Sequence, residues 1–404
     1  MSRVQAPSPD LQRCQLDPDY LTDKSAPADD HSEPKSPAEP RIAAIASEFN
    51  DDVACALQNM ATAVRHSRIG LIPEHEEAAL PARARAILDR FAVADALALY
   101  YRDRTQYTFV GLLVAAFFAM LVFELFAHVV PEFFPPGAPQ RLVIWLYPVF
   151  WVAAWFLWFH AHRRKYQRKF HDYRALTEGL RVQLFWNLLG LPEAVEDYYL
   201  RKQQGELDWI RRALRWWRRR DEKAIEEPPA SAGQLTAHKA LVRRCWVQDQ
   251  FHYFAEVARP REERNALRYK RCGALLFWAS MLLALGIGAW ELFDVLQASG
   301  GAAAPSDVHA SLPQGEIAVI IGISMLLVGA AVLVAYGEKM AFSEHTRHYG
   351  ATSLLFRQAD SALTDGPLTP ADADLFRNLG REVLQENGDW LLLHRDRPLE
   401  MIVP

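Results

Sequence analysis

Four long apolar runs dominate the pattern of hydrophobic and polar positions in this chain, at 107–130, 142–160, 272–296 and 316–336. A bilayer core of about 30 Å is crossed by roughly 20 mostly apolar helical residues. Each run is about that long, and none has a charge at its centre. In lipid every backbone N–H and C=O must be paired inside the segment, which selects helix. The pattern predicts an all-α membrane protein with four transmembrane helices as two hairpins and a cytoplasmic helical bundle.

Between the runs the pattern turns amphipathic. Residues 1–40 are rich in Pro, Ser and Asp without apolar periodicity and read as a disordered tail. A short helical segment follows over 41–84, with Ile42, Ile45, Phe49, Val53, Leu57 and Met60 at helical spacing, and Pro73 and Pro81 after them. A first two-span unit covers 85–220. Its trailing helices carry stripes at Tyr166, Phe170, Tyr173, Thr177, Leu180 and Leu184, then at Leu200, Gln203, Leu207, Ile210, Leu214 and Trp217. A linker and helix occupy 221–258, and a second two-span unit occupies 259–365. The chain ends over 366–404 in a short helix, 371–387, and a tail from Trp390 that is expected to be extended, with a small hairpin at 394–398.

Charge supplies the orientation. The net charge of −4 averages an acidic start with basic span ends. Lys and Arg close to span ends mark the cytoplasmic side. The second run exits into Arg163, Arg164, Lys165, Arg168 and Lys169, a membrane-proximal basic cluster. Arg102 and Arg104 precede the first run, and Arg264, Arg268, Lys270 and Arg271 precede the third. The turn 131–140 and the turn 297–315 contain no Lys or Arg. Both turns are therefore expected outside and both termini inside, in the inner membrane. The N-terminus has no apolar segment of the signal-peptide kind.

The halves repeat one another. The order ALALYYRDR…LVFELF (96–126) returns as ALRYKRC…IGAWELF (266–293), which aligns Glu124 with Glu291. Tyr173 and Arg181 return, at the same mutual spacing, as Tyr349 and Arg357. A duplicated hairpin suits pseudo-two-fold packing and a homo-oligomer. Ala318, Gly322 and Gly329 fall on one face of the fourth run, a candidate helix-packing face in lipid.

The chemistry on offer is sparse. There is no phosphate-binding Gly loop, nucleophile elbow, H-E-x-x-H or C-x-x-C, so no enzyme, no catalytic or cofactor-binding residue and no metal site is expected. Cys14, Cys55, Cys245 and Cys272 are scattered. Glu124 and Glu291 are the carboxylates of interest, either lining an ion path or reaching the headgroups about six residues from a span end. Of the four tryptophans in the second run, Trp145 and Trp158 suit the interfaces, and Trp151 and Trp155 are expected to pack on neighbouring helices. The basic, aromatic run 209–220 is read as helix-end structure, with lipid contact and nucleic acid as the lesser readings. No nucleic acid partner is expected.

Three stretches, DYRALTEGLRVQ (172–183), RKQQGELDWI (201–210) and NGDWLLLHR (387–395), together with the duplicated order of helix, paired spans and trailing helix, resemble the SLATT domains. These are two-span effector domains that associate with SMODS and SLOG proteins. The resemblance covers roughly 85–404. It implies a pore-forming or membrane-perturbing effector of a prokaryotic defence system, triggered by a partner that makes or senses a nucleotide. Longer relatives of that kind carry a SLOG sensor before the membrane unit. Residues 1–84 are too short for one and lack its Gly-rich turns, so either the signal is expected from a separate protein or the start of the chain is truncated. The alternative is a membrane-anchored scaffold that binds a cytoplasmic partner without conducting ions.

Overall fold

The computed structural model describes residues 9–22, 39–200, 207–300 and 314–395. Among these residues there is helix and no strand. The chain begins with α1 (Pro9–Cys14), α2 (Pro18–Thr22), α3 (Glu39–Asn59), α4 (Ala61–Leu71), α5 (Glu74–Glu77) and α6 (Ala82–Glu124). A π-helical turn, Leu125–Val129, leads to α7 (Val130–Phe133), and a 3-10 segment, Pro139–Trp145, leads to α8 (Leu146–Arg163). Then come α9 (Tyr166–Leu188), α10 (Val195–Tyr198), α11 (Asp208–Ala224), α12 (Ala232–Val242), α13 (Asp249–His252) and α14 (Arg259–Gly300). The last three are α15 (Gln314–Lys339), α16 (Phe342–Ala362) and α17 (Pro370–Arg395). Four helices are long and apolar enough to cross a membrane. The protein is a multi-pass, all-α membrane protein.

Two compact units divide the chain. One gathers the described parts of Met1–Thr105, Lys165–Phe254 and Ala351–Pro404, and the other gathers Gln106–Arg164 and Ala255–Gly350. The trailing helices expected to belong to each hairpin therefore group with the N-terminal helices instead. Their stripes are apolar enough to build a water-soluble type of core, whereas the spans bury little inside the chain.

The first unit has that core. Trp186, Trp209, Trp217 and Trp246 are fully buried in it. Phe185 stacks on Trp246 at 5.1 Å, and the indole of Trp186 donates to the Phe376 carbonyl at 3.1 Å. That indole lies so close to Gly380 that an added Cβ would sit 2.5 Å from it. Buried ion pairs brace the unit: Arg90 grips Asp221 with two bonds of 2.6 and 2.7 Å, and Lys239 reaches Asp372 at 2.7 Å. α12 begins with a capping box between Ser231 and Gln234, which satisfies amides at the helix start.

Several expectations are corrected here. The tail 1–40 is not wholly disordered: α1 and α2 are ordered, and Cys14, Leu16 and Leu21 are buried. The Gln15 carbonyl accepts from Trp217, so short apolar residues in a polar stretch sufficed to dock it. Residues 1–8 and 23–38 lie outside the described residues. The C-terminal helix does not stop before Gly388; α17 continues to Arg395, with Leu391 fully buried. The expected hairpin at 394–398 lies mostly outside the described residues. The reading of 209–220 as surface or helix-end structure is not among these corrections: Arg212, Arg218 and Arg220, all half-buried, bond Asp208, Glu196, Glu222 and the carbonyls of Leu21, Gln12 and Arg13.

The second unit is built from the spans. α14 and α15 form a close hairpin whose seam uses small residues. Gly273 sits against Val334 and the Ala330 carbonyl, Gly329 against Leu276, and Gly337 against Tyr269. Ser280 donates to the Ile323 carbonyl at 3.2 Å. In lipid, where apolar burial gives little drive, such close backbone approach holds helices together. α6 and α8 meet through bulkier groups, with Phe118 stacked on Phe150 at 5.7 Å and Leu157 over Gly111. Trp151 and Trp155 remain 45% and 42% exposed, and their ring partners Tyr147, Phe156 and Phe159 lie on their own helix. A bilayer solvates such rings, so nothing forces them inward.

Candidate functional site

The strongest site in the spans is Glu124. It is the last residue of α6, where the helix widens into the π turn and the Val130 amide bonds the Leu125 carbonyl five residues back. Such π turns recur at functional positions. The turn lies against α15 and the 3-10 segment. The Glu124 side chain is 8% exposed, and its Oε2 has no hydrogen bond. His128 lies one turn on, with Nε2 3.4 Å from that oxygen. A buried carboxylate with an unsatisfied oxygen in a span is suited to hold a proton or a cation.

Glu291 does not share this setting. It is exposed on α14, which stays α-helical through the equivalent stretch. The structure therefore separates the two carboxylates that the repeat equates. The candidate packing face divides too. Gly329 touches Leu276, nothing lies within 4 Å of Gly322, and Ala318 is exposed.

The basic cluster is also divided. Arg163 stays on α8, over the Phe159 ring at 5.4 Å, and Arg164 is exposed. Lys165, Arg168 and Lys169 turn to carboxylates of α3. Glu48 receives Lys165 at 3.0 Å, Arg168 at 3.2 Å and Lys169 at 3.1 Å. Asp52 accepts from Lys169 at 2.7 Å, from the Tyr101 hydroxyl at 2.8 Å and from Tyr173. Burial pushes the Glu48 carboxyl up, but the bonds and charges of Lys165 and Lys169 outweigh this and hold it below its ordinary value. This clasp ties α3 to α6 six residues before the first run and to the first turn of α9. Lys165 takes a left-handed backbone, φ 54°, to start that turn.

Glu48, Asp52 and Tyr101 were not singled out from the sequence. A signal was present: Glu48 and Asp52, like Lys165 and Lys169, are one helical turn apart and of opposite sign. A second missed cluster joins α9 to α17. Glu178, fully buried, pairs with Arg174 at 2.5 Å and Arg181 at 2.8 Å. Burial and the charge of Glu178 push the Glu386 carboxyl up to about 7. No group of three or more His, Cys, Asp or Glu among the described residues is placed to hold a metal ion. Comparison with protein-family models, with curated proteins and with solved structures finds no match to this chain.

Proposed function

We propose that this protein is an oligomeric inner-membrane effector that opens a pore or perturbs the bilayer when a signal reaches its cytoplasmic helices. The carrying observation is Glu124, a buried carboxylate whose Oε2 has no hydrogen bond, at a change of helix type within a span. The lysine- and arginine-free turns support both termini inside. The open Gly322 and exposed Ala318 leave a close-approach face for another copy. The resemblance to SLATT domains implies a nucleotide-linked defence role, with a separate protein supplying the signal. Four chain crossings, at 105/106, 164/165, 254/255 and 350/351, join the helical unit to the spans.

Conductance of full-length protein in liposomes tests this. The wild type is expected to pass ions, and Glu124→Gln is expected to change the cation-to-anion permeability ratio. Inserted wild-type protein that stays silent over a range of pH and protein density overturns the reading. A scaffold is favoured instead by one observation: among the described residues of the spans, no second buried carboxylate accompanies Glu124. In that case Glu124→Gln leaves the phenotype of expressing cells unchanged.

A further inference from the structure

The helical unit carries an open cleft of about 980 Å3 at the head of α6. Its walls come from the start of α6, the end of α9, α11, the non-helical segment 225–231 and α12. The volume lies at the upper end of the roughly 300–1,000 Å3 typical of small-molecule pockets. Much of the wall is apolar, including Leu80, Leu188, Leu191, Trp217, Pro228 and Leu241.

The charges on the wall decide what fits. Each carboxylate there is committed. Asp221 is held by Arg90, Glu222 by Arg218, Glu193 by Arg377 and Glu76 by Arg244. Glu227 accepts the backbone amides of Ala82 and Arg83, the latter at 3.2 Å. Glu227 is thus without a cation and two arginines are without a carboxylate, a surplus of one positive charge on the wall. Arg83 spends Nε and Nη2 on the neutral carbonyl of Ile225, at 3.2 and 2.7 Å. Arg85 is exposed and has no ion-pair partner among the described residues. The chain itself seats one carboxylate, Glu227, against the first amides of α6, which shows that an acid group is accommodated beside these arginines.

We propose that this cleft binds a small acidic molecule with an apolar or aromatic body, its acid group on Arg83 and Arg85 and its body against the Trp217 side. Binding does not depend on whether the spans conduct. Its use as the trigger rests on the effector reading, since α6 continues into the first span.

The probe is 1-naphthyl phosphate, followed by fluorescence anisotropy with full-length protein in a nonionic detergent. Saturable binding below about 1 mM is expected. Arg85→Glu should weaken it about tenfold or more by reversing a charge–charge contact. Ala237→Trp, from an exposed position on the α12 wall, should abolish it by filling the space. Inorganic phosphate should compete weakly, and 1-naphthol should not compete at equal concentration. Circular dichroism checks that both variants fold. No saturable binding to the wild type, binding equal in the wild type and both folded variants, or competition by 1-naphthol as strong as by the ester itself each overturns the proposal. None of these readouts involves ion flux, so failure here is distinct from failure of the effector reading.

Discussion

The two hairpins share a plan and differ in equipment. After each hairpin the chain breaks at a left-handed, non-glycine residue: Lys165 with φ 54° and Ala341 with φ 50°. Each break lies eight residues before the repeated tyrosine, Tyr173 or Tyr349. The repeated arginines make the same contact, Arg181 over the Phe91 ring at 5.4 Å and Arg357 over Phe251 at 5.1 Å. An L-residue in this conformation costs on the order of 1 kcal/mol, so its recurrence at matched spacing marks a feature of the shared unit. The differences fall on one side. The first copy has the π turn with buried Glu124 and the clasp on Lys165 and Lys169. The second has a straight α14 with exposed Glu291, and Ala341 and His345 at the clasp positions. The second hairpin has instead a small-residue seam. The second hairpin is a tightly packed frame, and the first bears the polar groups.

The largest expected effect separates the carboxylates. If the first copy carries the function, Glu124→Gln changes ion selectivity or cell toxicity roughly tenfold, whereas Glu291→Gln stays near the wild type. Equal effects in liposome flux would restore the equivalence of the two copies. The next contrast is the clasp. Asp52→Asn disturbs a carboxylate that serves a lysine and two tyrosines, and should cost about 2–3 kcal/mol in thermal unfolding. His345→Ala, at the matching place in the second copy, should cost under about 1 kcal/mol. Similar losses would show that the second copy has an anchor of its own.

What the sequence made legible follows the same division. Span number and helical form could be read because lipid imposes length and apolarity on every residue of a span. The equality of Glu124 and Glu291 could also be read, but not their different burial. That depends on a π turn, which has no strong sequence signal, and on which helix faces lie together. The basic cluster was legible as charge and not as contact, because Glu48 and Asp52 lie more than 100 residues from their partners. The docking of α1 and α2 was hidden for a related reason: three buried residues in a Pro- and Asp-rich stretch carry no periodicity.

The frame itself gives the third contrast. Gly273→Leu pushes a side chain into Val334 and the Ala330 backbone, and overpacking of this kind costs about 1–3 kcal/mol. At Gly322 the first added carbon meets nothing within 4 Å, so Gly322→Leu is the milder change within the chain. It should leave the unfolding temperature of the monomer unchanged. Native mass measurement in detergent completes the test, since a loss of oligomer in Gly322→Leu alone would place the contact between copies on that face.

The smallest effect concerns the trailing helices. α9 carries Glu178, whereas α16 has the exposed Leu354 at the matching position, so of these two positions only Glu178 adds charge beside Glu386 on α17. Burial first, and Glu178 second, raise the Glu386 carboxyl from 4.5 to about 7, against the pull of Arg174 and a bond with Thr352. Folding therefore takes up a proton. The stability this supplies is fully present below about pH 4.5 and is lost as the pH rises through 7. Glu386→Gln stays neutral throughout. Its unfolding temperature should exceed that of the wild type by an amount that grows between pH 5 and 7 and levels off above 7, at on the order of 2 kcal/mol. Adding Glu178→Gln removes the second cause of the shift, so the remaining pH dependence should shrink without vanishing. A pH-independent difference between Glu386→Gln and the wild type would show that Glu386 stays ionised beside Glu178, with Arg174 serving both carboxylates.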